Sequence, residues 1–244
     1  EVLSPLPAEG YGRMRVTATM GLCLIGTRVE DCPGIVRTVT PLLEDAEPMH
    51  RSAAAIGLGL ASAGLADARE MLDLIRPLLD DEEPDVRFSA GVAMGLVAAN
   101  SSDPLVMLRS LTDSRDEYVR AGGALAAGIV ATRFGDPSDA IELIRPLTAD
   151  SERTVRRAAV MALGLAASKV KDIDSRVELL KEFQESPDDP ARQGAAIAFG
   201  LASKEIEIQH GVVIGEALWG STPFTREECL VLGMAMSLMV RFGY

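Results

Sequence analysis

Any chemistry in this chain must be built from few parts: 2 histidines, 3 cysteines and 36 acidic residues among 244. A Ser–His–Asp relay would need His50 or His210, and no G-x-S-x-G turn presents a serine to either. Paired His-Glu ligands for iron are missing, because Arg51 follows His50 and Gly211 follows His210. His50 begins a helical stretch and reads as a surface or capping residue. Cys23, Cys32 and Cys229 form no C-x-x-C and are odd in number, so a disulfide framework is not expected and a reducing, intracellular setting fits better. Cys23 stands where small residues recur in other segments and reads as a buried small residue rather than a nucleophile. The glycines of GLGLAS, from Gly57, break the phosphate-cradle pattern at Ser62 and lie inside a helical stretch, not after a strand. Acid runs such as Asp80-Asp81-Glu82-Glu83 and Asp188-Asp189 sit in turns, where helix capping is the default role. No catalytic, metal-binding or cofactor-binding residue is assigned.

The informative spacing belongs to arginine. Arg15, Arg51, Arg87, Arg120, Arg156 and Arg192 follow one another at 36, 36, 33, 36 and 36 residues. A fixed period in this range is the mark of a stacked solenoid. An acid stands six residues earlier in most units, as Glu9, Asp45, Asp81 and Asp150, while Ser114 (beside Asp113) and Ser186 take that place elsewhere. Acid and arginine in fixed register imply a structural ladder, pairing within a unit or with its neighbour. An exposed pair would contribute only about 0.2–1 kcal/mol, so its value lies in setting register.

The elements that must carry this ladder are helical hairpins. In the third unit Met71, Leu72, Leu74, Ile75, Leu78 and Leu79 form an i, i+3, i+4, i+7 stripe over about 66–79, the first helix of a hairpin. An acidic turn ending at Pro84 separates it from a second helix at about 85–99. Asp103-Pro104 and Asp136-Pro137 place an acidic cap before a proline at the first helical position. Pro5, Pro41, Pro77 and Pro146 recur late in the first helix, where each should kink it and give the stack uniform curvature. The second helices are rich in glycine, with Gly91, Gly95, Gly128 and Gly164 among others. Each interior glycine costs up to ~1 kcal/mol against alanine, which is reasonable only where neighbouring helices approach closely.

Composition limits the function. Hydrophobic residues make up 48% of the chain and aromatics only 4%, the vocabulary of close-packed helices. The net charge of −12 repels phosphate, so nucleic acid and anionic membranes are disfavoured partners. The longest run of apolar and small residues, Ala53 to Ala66, is shorter than the roughly 18 residues of a membrane span. The start, EVLSPLP, has no secretory-signal pattern. A soluble, cytoplasmic protein is expected, with the nucleus also open to it.

Pro77-Leu78-Leu79, the turn acids, and Val86-Arg87, Val119-Arg120 and Val155-Arg156 followed by alanine-rich helices resemble HEAT repeats. AAAIGLGLASAG from Ala53 is similar to the glycine-rich proteasome/cyclosome variant, found in the scaffold subunits of the proteasome regulatory particle and the largest subunit of the anaphase-promoting complex. The resemblance covers residues 1–204 and implies a non-catalytic platform that holds partner proteins. Two HEAT-like enzyme classes fail on their residues: deoxyhypusine hydroxylases need His-Glu pairs, and HEAT-like DNA glycosylases need a basic, aromatic groove. Phycobilin lyases remain as an alternative that no residue supports.

The expected fold is an all-α, right-handed solenoid of about six and a half helical hairpins. It starts within a repeat, since Pro5 lies 36 residues before Pro41, and a divergent repeat or cap follows at 205–244. In that last part Glu228 replaces the arginine, and Thr225 with Glu228 forms a capping box. Trp219, Phe224, Phe242 and Tyr244 there form either a cap or a partner-docking surface. The expected role is a protein-interaction scaffold, a subunit or fragment of a larger assembly. The alternatives are a lyase-type repeat enzyme and a structural subunit that binds copies of itself end to end.

Overall fold

The computed structural model describes residues 16, 18–23, 32–65, 69–101, 103–133 and 136–184, then 186, 188, 190–192, 194, 195 and 198. Glu9, Arg15, Trp219, Phe224, Phe242, Tyr244, His210 and the 205–244 segment lie outside the described residues. Every regular element among those described is helical. The chain divides into two compact units, Glu1–Val130 and Ala131–Tyr244.

The first unit is a stack of hairpins. Its described helices are α1 (Cys32–Val39), α2 (Pro48–Ala61), α3 (Arg69–Ile75), α4 (Pro84–Ala98), α5 (Pro104–Thr112) and α6 (Glu117–Ala131), preceded by helical residues at 18–23. The odd-numbered helices are short and amphipathic, and each folds back on the longer even-numbered helix that follows. Val39, Met71, Ile75, Val86, Met94, Leu111 and Val119 meet in one core drawn from successive hairpins. In the second unit α7 (Ser138–Ile144) packs on α8 (Arg153–Ala167), and α9 (Ile173–Gln184) packs on α8 from the next hairpin.

Proline shapes the first helices differently from the expected kink. The α-helix ends before the proline, and the chain continues as a 3-10 turn at Thr40–Glu44, Arg76–Asp80 and Arg145–Ala149, with proline at its second residue. Proline has no N–H to donate and crowds the carbonyl four residues back, so the tighter i→i+3 pattern takes over. The register supplies its own control. Ser110 holds the proline position in α5 and Glu182 holds it in α9, and both helices run through it as α-helix.

Two capping expectations are corrected. Pro104 is at the first turn of α5, but Asp103 makes no side-chain cap bond. Asp136 does cap, accepting Ser138 N–H at 2.9 Å, yet Pro137 is the N-cap residue and α7 starts at Ser138. His50 is also not a surface residue: it is only 4% exposed. It occupies the position that Val86, Val119 and Val155 hold in other hairpins, and its Nδ1 lies 3.0 Å from Asp45 Oδ1.

Glycine is required where the long helices meet. A Cβ built on Gly91 would lie 3.0 Å from Val119 O and 3.3 Å from Gly122 Cα, and one on Gly122 would collide with the Phe88 carbonyl. In the second unit a Cβ on Gly164 would collide with Ala198. These obstacles are largely backbone, so the two helices touch main chain to main chain. That contact compensates for the weak helix propensity of glycine.

Candidate functional site

Among the described repeated arginines, Arg51, Arg87, Arg120 and Arg156 occupy the first turns of α2, α4, α6 and α8, each just after a hairpin turn. Each described arginine donates first to its own turn. Arg51 Nη1 reaches Asp45 O at 2.9 Å and Ala46 O at 3.2 Å, and Arg87 Nη1 reaches Asp81 O at 2.7 Å and Glu82 O at 3.1 Å. Arg120 Nη1 reaches Ser114 O at 2.9 Å, Arg156 Nη1 reaches Asp150 O at 3.0 Å, and Arg192 Nη1 reaches Ser186 O at 2.6 Å. The residue six before the arginine therefore meets it through its backbone carbonyl.

Its side chain has another task, closing the turn by accepting the N–H two residues on. Asp45 accepts from Glu47 at 3.0 Å, Asp81 from Glu83 at 3.0 Å and Asp150 from Glu152 at 2.8 Å. Ser114 accepts from Asp116 at 3.2 Å and Ser186 from Asp188 at 3.2 Å. Aspartate and serine alternate at this position because either one's oxygen can close such a turn.

The remaining guanidinium edge bridges to the next hairpin. Arg51 Nε and Nη2 bind Asp81 Oδ2 and Oδ1 at 2.8 and 2.7 Å, a two-pronged pair. Arg156 Nε and Nη2 bind Asp188 in the same way, at 2.9 and 3.0 Å. Arg87 Nε binds Asp116 Oδ2 at 2.9 Å, and its guanidinium lies 5.3 Å from the centre of the Tyr118 ring. Of the two options left open by the sequence, the carboxylate bound by Arg51, Arg87 and Arg156 is in each case the adjacent hairpin's.

Sequence reasoning missed Asp116 and Asp188, placing the acid role of those turns at Asp113 or on the serines. A signal was present. An acid stands four residues before each of Arg51, Arg87, Arg120, Arg156 and Arg192, as Glu47, Glu83, Asp116, Glu152 and Asp188. It is aspartate only where the turn-closing residue is serine. Glu47, Glu83 and Glu152 are N-cap residues without a side-chain cap bond. Asp116 Oδ1 instead accepts Tyr118 N–H at 2.9 Å and Val119 N–H at 3.0 Å, leaving Oδ2 for Arg87. The shorter side chain can cap its helix and reach the previous arginine together, whereas glutamate is a poor N-cap.

Electrostatics follow this geometry. Burial alone would raise the Asp81 carboxyl, but hydrogen bonds from Arg51 and Glu83 N–H and the charges of Arg51 and Arg87 hold it below the usual carboxylate value. Arg156 lowers Asp188 in the same direction, against partial burial, with help from Ala191 N–H. Arg51 and Arg156 are each raised, chiefly by the hydrogen bond to the paired aspartate. Cys23 and Cys32 are buried thiols outside any disulfide, and burial, then the nearby Cys32, pushes the Cys23 thiol up to about 12. A thiol at that value stays protonated at neutral pH, its least nucleophilic form.

The long helices offer almost nothing to a ligand. Every residue of α2 from His50 to Ala61 is buried, as is every residue of α4 from Ser89 to Ala98. In α8 the buried stretch runs from Ala158 to Ala167. Among the described residues, what remains accessible is the short helices, the turns and the first turns of the long helices, with Glu47, Asp73, Arg76, Glu83, Arg109 and Glu152 among the exposed residues. No group of three or more His, Cys, Asp or Glu among the described residues could hold a metal ion. None of the described helices is long and apolar enough to cross a membrane.

Repeating helical hairpins joined by short turns and packed through their second helices define an all-α repeat solenoid. The family model for HEAT repeats matches residues 36–128 and, in an overlapping second match, 106–200. The chain belongs to the HEAT-repeat family. A search of curated proteins returns no match. Among solved structures, the complex of CpcE and CpcF of phycocyanin lyase from Nostoc sp. PCC7120 is 19% identical with a TM-score of 0.47, covering 97% of this chain and 92% of that one. An engineered protein is 19% identical with a TM-score of 0.42, covering 88% and 96%. A computationally designed armadillo repeat protein for modular peptide recognition is 17% identical with a TM-score of 0.37, covering 82% and 98%.

Proposed function

We propose that this chain is a non-catalytic scaffold that holds a partner protein, as a subunit or fragment of a larger assembly such as a proteasome-type regulatory complex. The observation that carries the reading is the division of labour between helices. The long helices are buried over ten or more consecutive residues, which leaves the short helices, the turns and the first turns of the long helices as the accessible surface among the described residues. The resemblance of the glycine-rich helices to the proteasome/cyclosome variant supports the narrower assignment, since Gly91, Gly122 and Gly164 sit where helix backbones touch. Trp219, Phe224, Phe242 and Tyr244 are further candidate docking positions. Two buried cysteines outside any disulfide support a cytoplasmic setting.

Purification of the tagged protein from its native cells, with mass spectrometry of what accompanies it, tests the proposal. A foreign protein at stoichiometric ratio is the expected result. A covalently or tightly held chromophore would overturn it in favour of a lyase, and self-association alone would make the chain a structural subunit. Charge reversal at Glu47 and Glu83, or alanine at Trp219 and Phe224, should then weaken partner recovery without changing the helical circular-dichroism signal.

A further inference from the structure

We draw no further inference here: the strongest candidate, the acidic groove of the second unit between the 3-10 turn Arg145–Ala149 and α9, lined by Arg145, Asp172, Ser175, Glu178, Leu179 and Glu182, carries nothing because Glu182 already pairs with Arg145, Asp172 is engaged by Ser175, and nothing in the structure shows what covers it.

Discussion

Arg51 joins two hairpins with one side chain, taking two carbonyls of its own turn and both carboxylate oxygens of Asp81 in the next. The pair is mostly buried, with side-chain exposures of 10% and 9%, whereas Arg145 and Glu182 are 52% and 53% exposed. Removing one partner of a buried, hydrogen-bonded pair leaves a charge with no partner in a poorly solvated place. Arg51→Ala should therefore cost about 2–4 kcal/mol, while Arg145→Ala should cost no more than about 0.5 kcal/mol. Urea denaturation of both variants checks the ranking, and equal losses would remove any special weight from the repeated arginines. Ser52 supplies a test of opposite sign. Its Oγ is buried with no hydrogen-bond partner, and Ala121 holds the same register position in α6. Ser52→Ala should raise stability by about 1 kcal/mol, because a buried hydroxyl without a partner is a net cost. A measured loss would mean that the hydroxyl has a partner in solution.

For the long helices the deciding quantity is what a new methyl group would strike. At Gly57 it would meet Cys23 Sγ at 2.7 Å, the end of a side chain that can turn. At Gly122 it would meet the Phe88 carbonyl and Val92 N, which move only with the whole of α4. Alanine gains up to about 1 kcal/mol of helix propensity at either site. Gly57→Ala should then be close to neutral, whereas Gly122→Ala should lose about 1–3 kcal/mol net, as overpacking does. Thermal melts compare the two directly, and a neutral Gly122→Ala would refute backbone contact between α4 and α6. This level was well legible in the sequence, because a 36-residue period, apolar stripes and interior glycines are local patterns. Less legible was the conversion of the last turn to 3-10 geometry in the short helices that carry a proline there. Proline at Pro41, Pro77 and Pro146 says that a bond is lost, but not whether the helix bends or tightens. The bridging pattern was only half legible as well. Period places Asp81 in the turn after Arg51, yet which neighbour a guanidinium reaches depends on packing between hairpins. The transfer of that role to Asp116 and Asp188 depends on which side chain is free after capping.

Across the molecule, the depressed carboxyls and the net charge set opposing dependences on pH. Asp81 and Asp188 titrate below the unfolded aspartate value, so on acidification the unfolded chain takes up protons first. Their contribution to stability is thus complete above the unfolded value, about pH 4, and is lost as pH falls through the folded values below it. Self-repulsion acts at higher pH, since the chain carries −12 at pH 7 and approaches neutrality near its pI of 4.7. Stability should accordingly hold or rise slightly from pH 7 to about 5 and then fall steeply below about 4. Added salt should flatten the upper limb more than the lower, because the exposed charges are screened and the half-buried pairs are screened less. The double variant Arg51→Ala, Arg156→Ala removes the largest lowering contribution from Asp81 and from Asp188. Its melting temperature should be lower at pH 7 and should lose less between pH 5 and 3 than that of the parent. If parent and variant lines fall in parallel over that interval, the inter-hairpin pairs do not govern the acid limb, and general carboxylate protonation does.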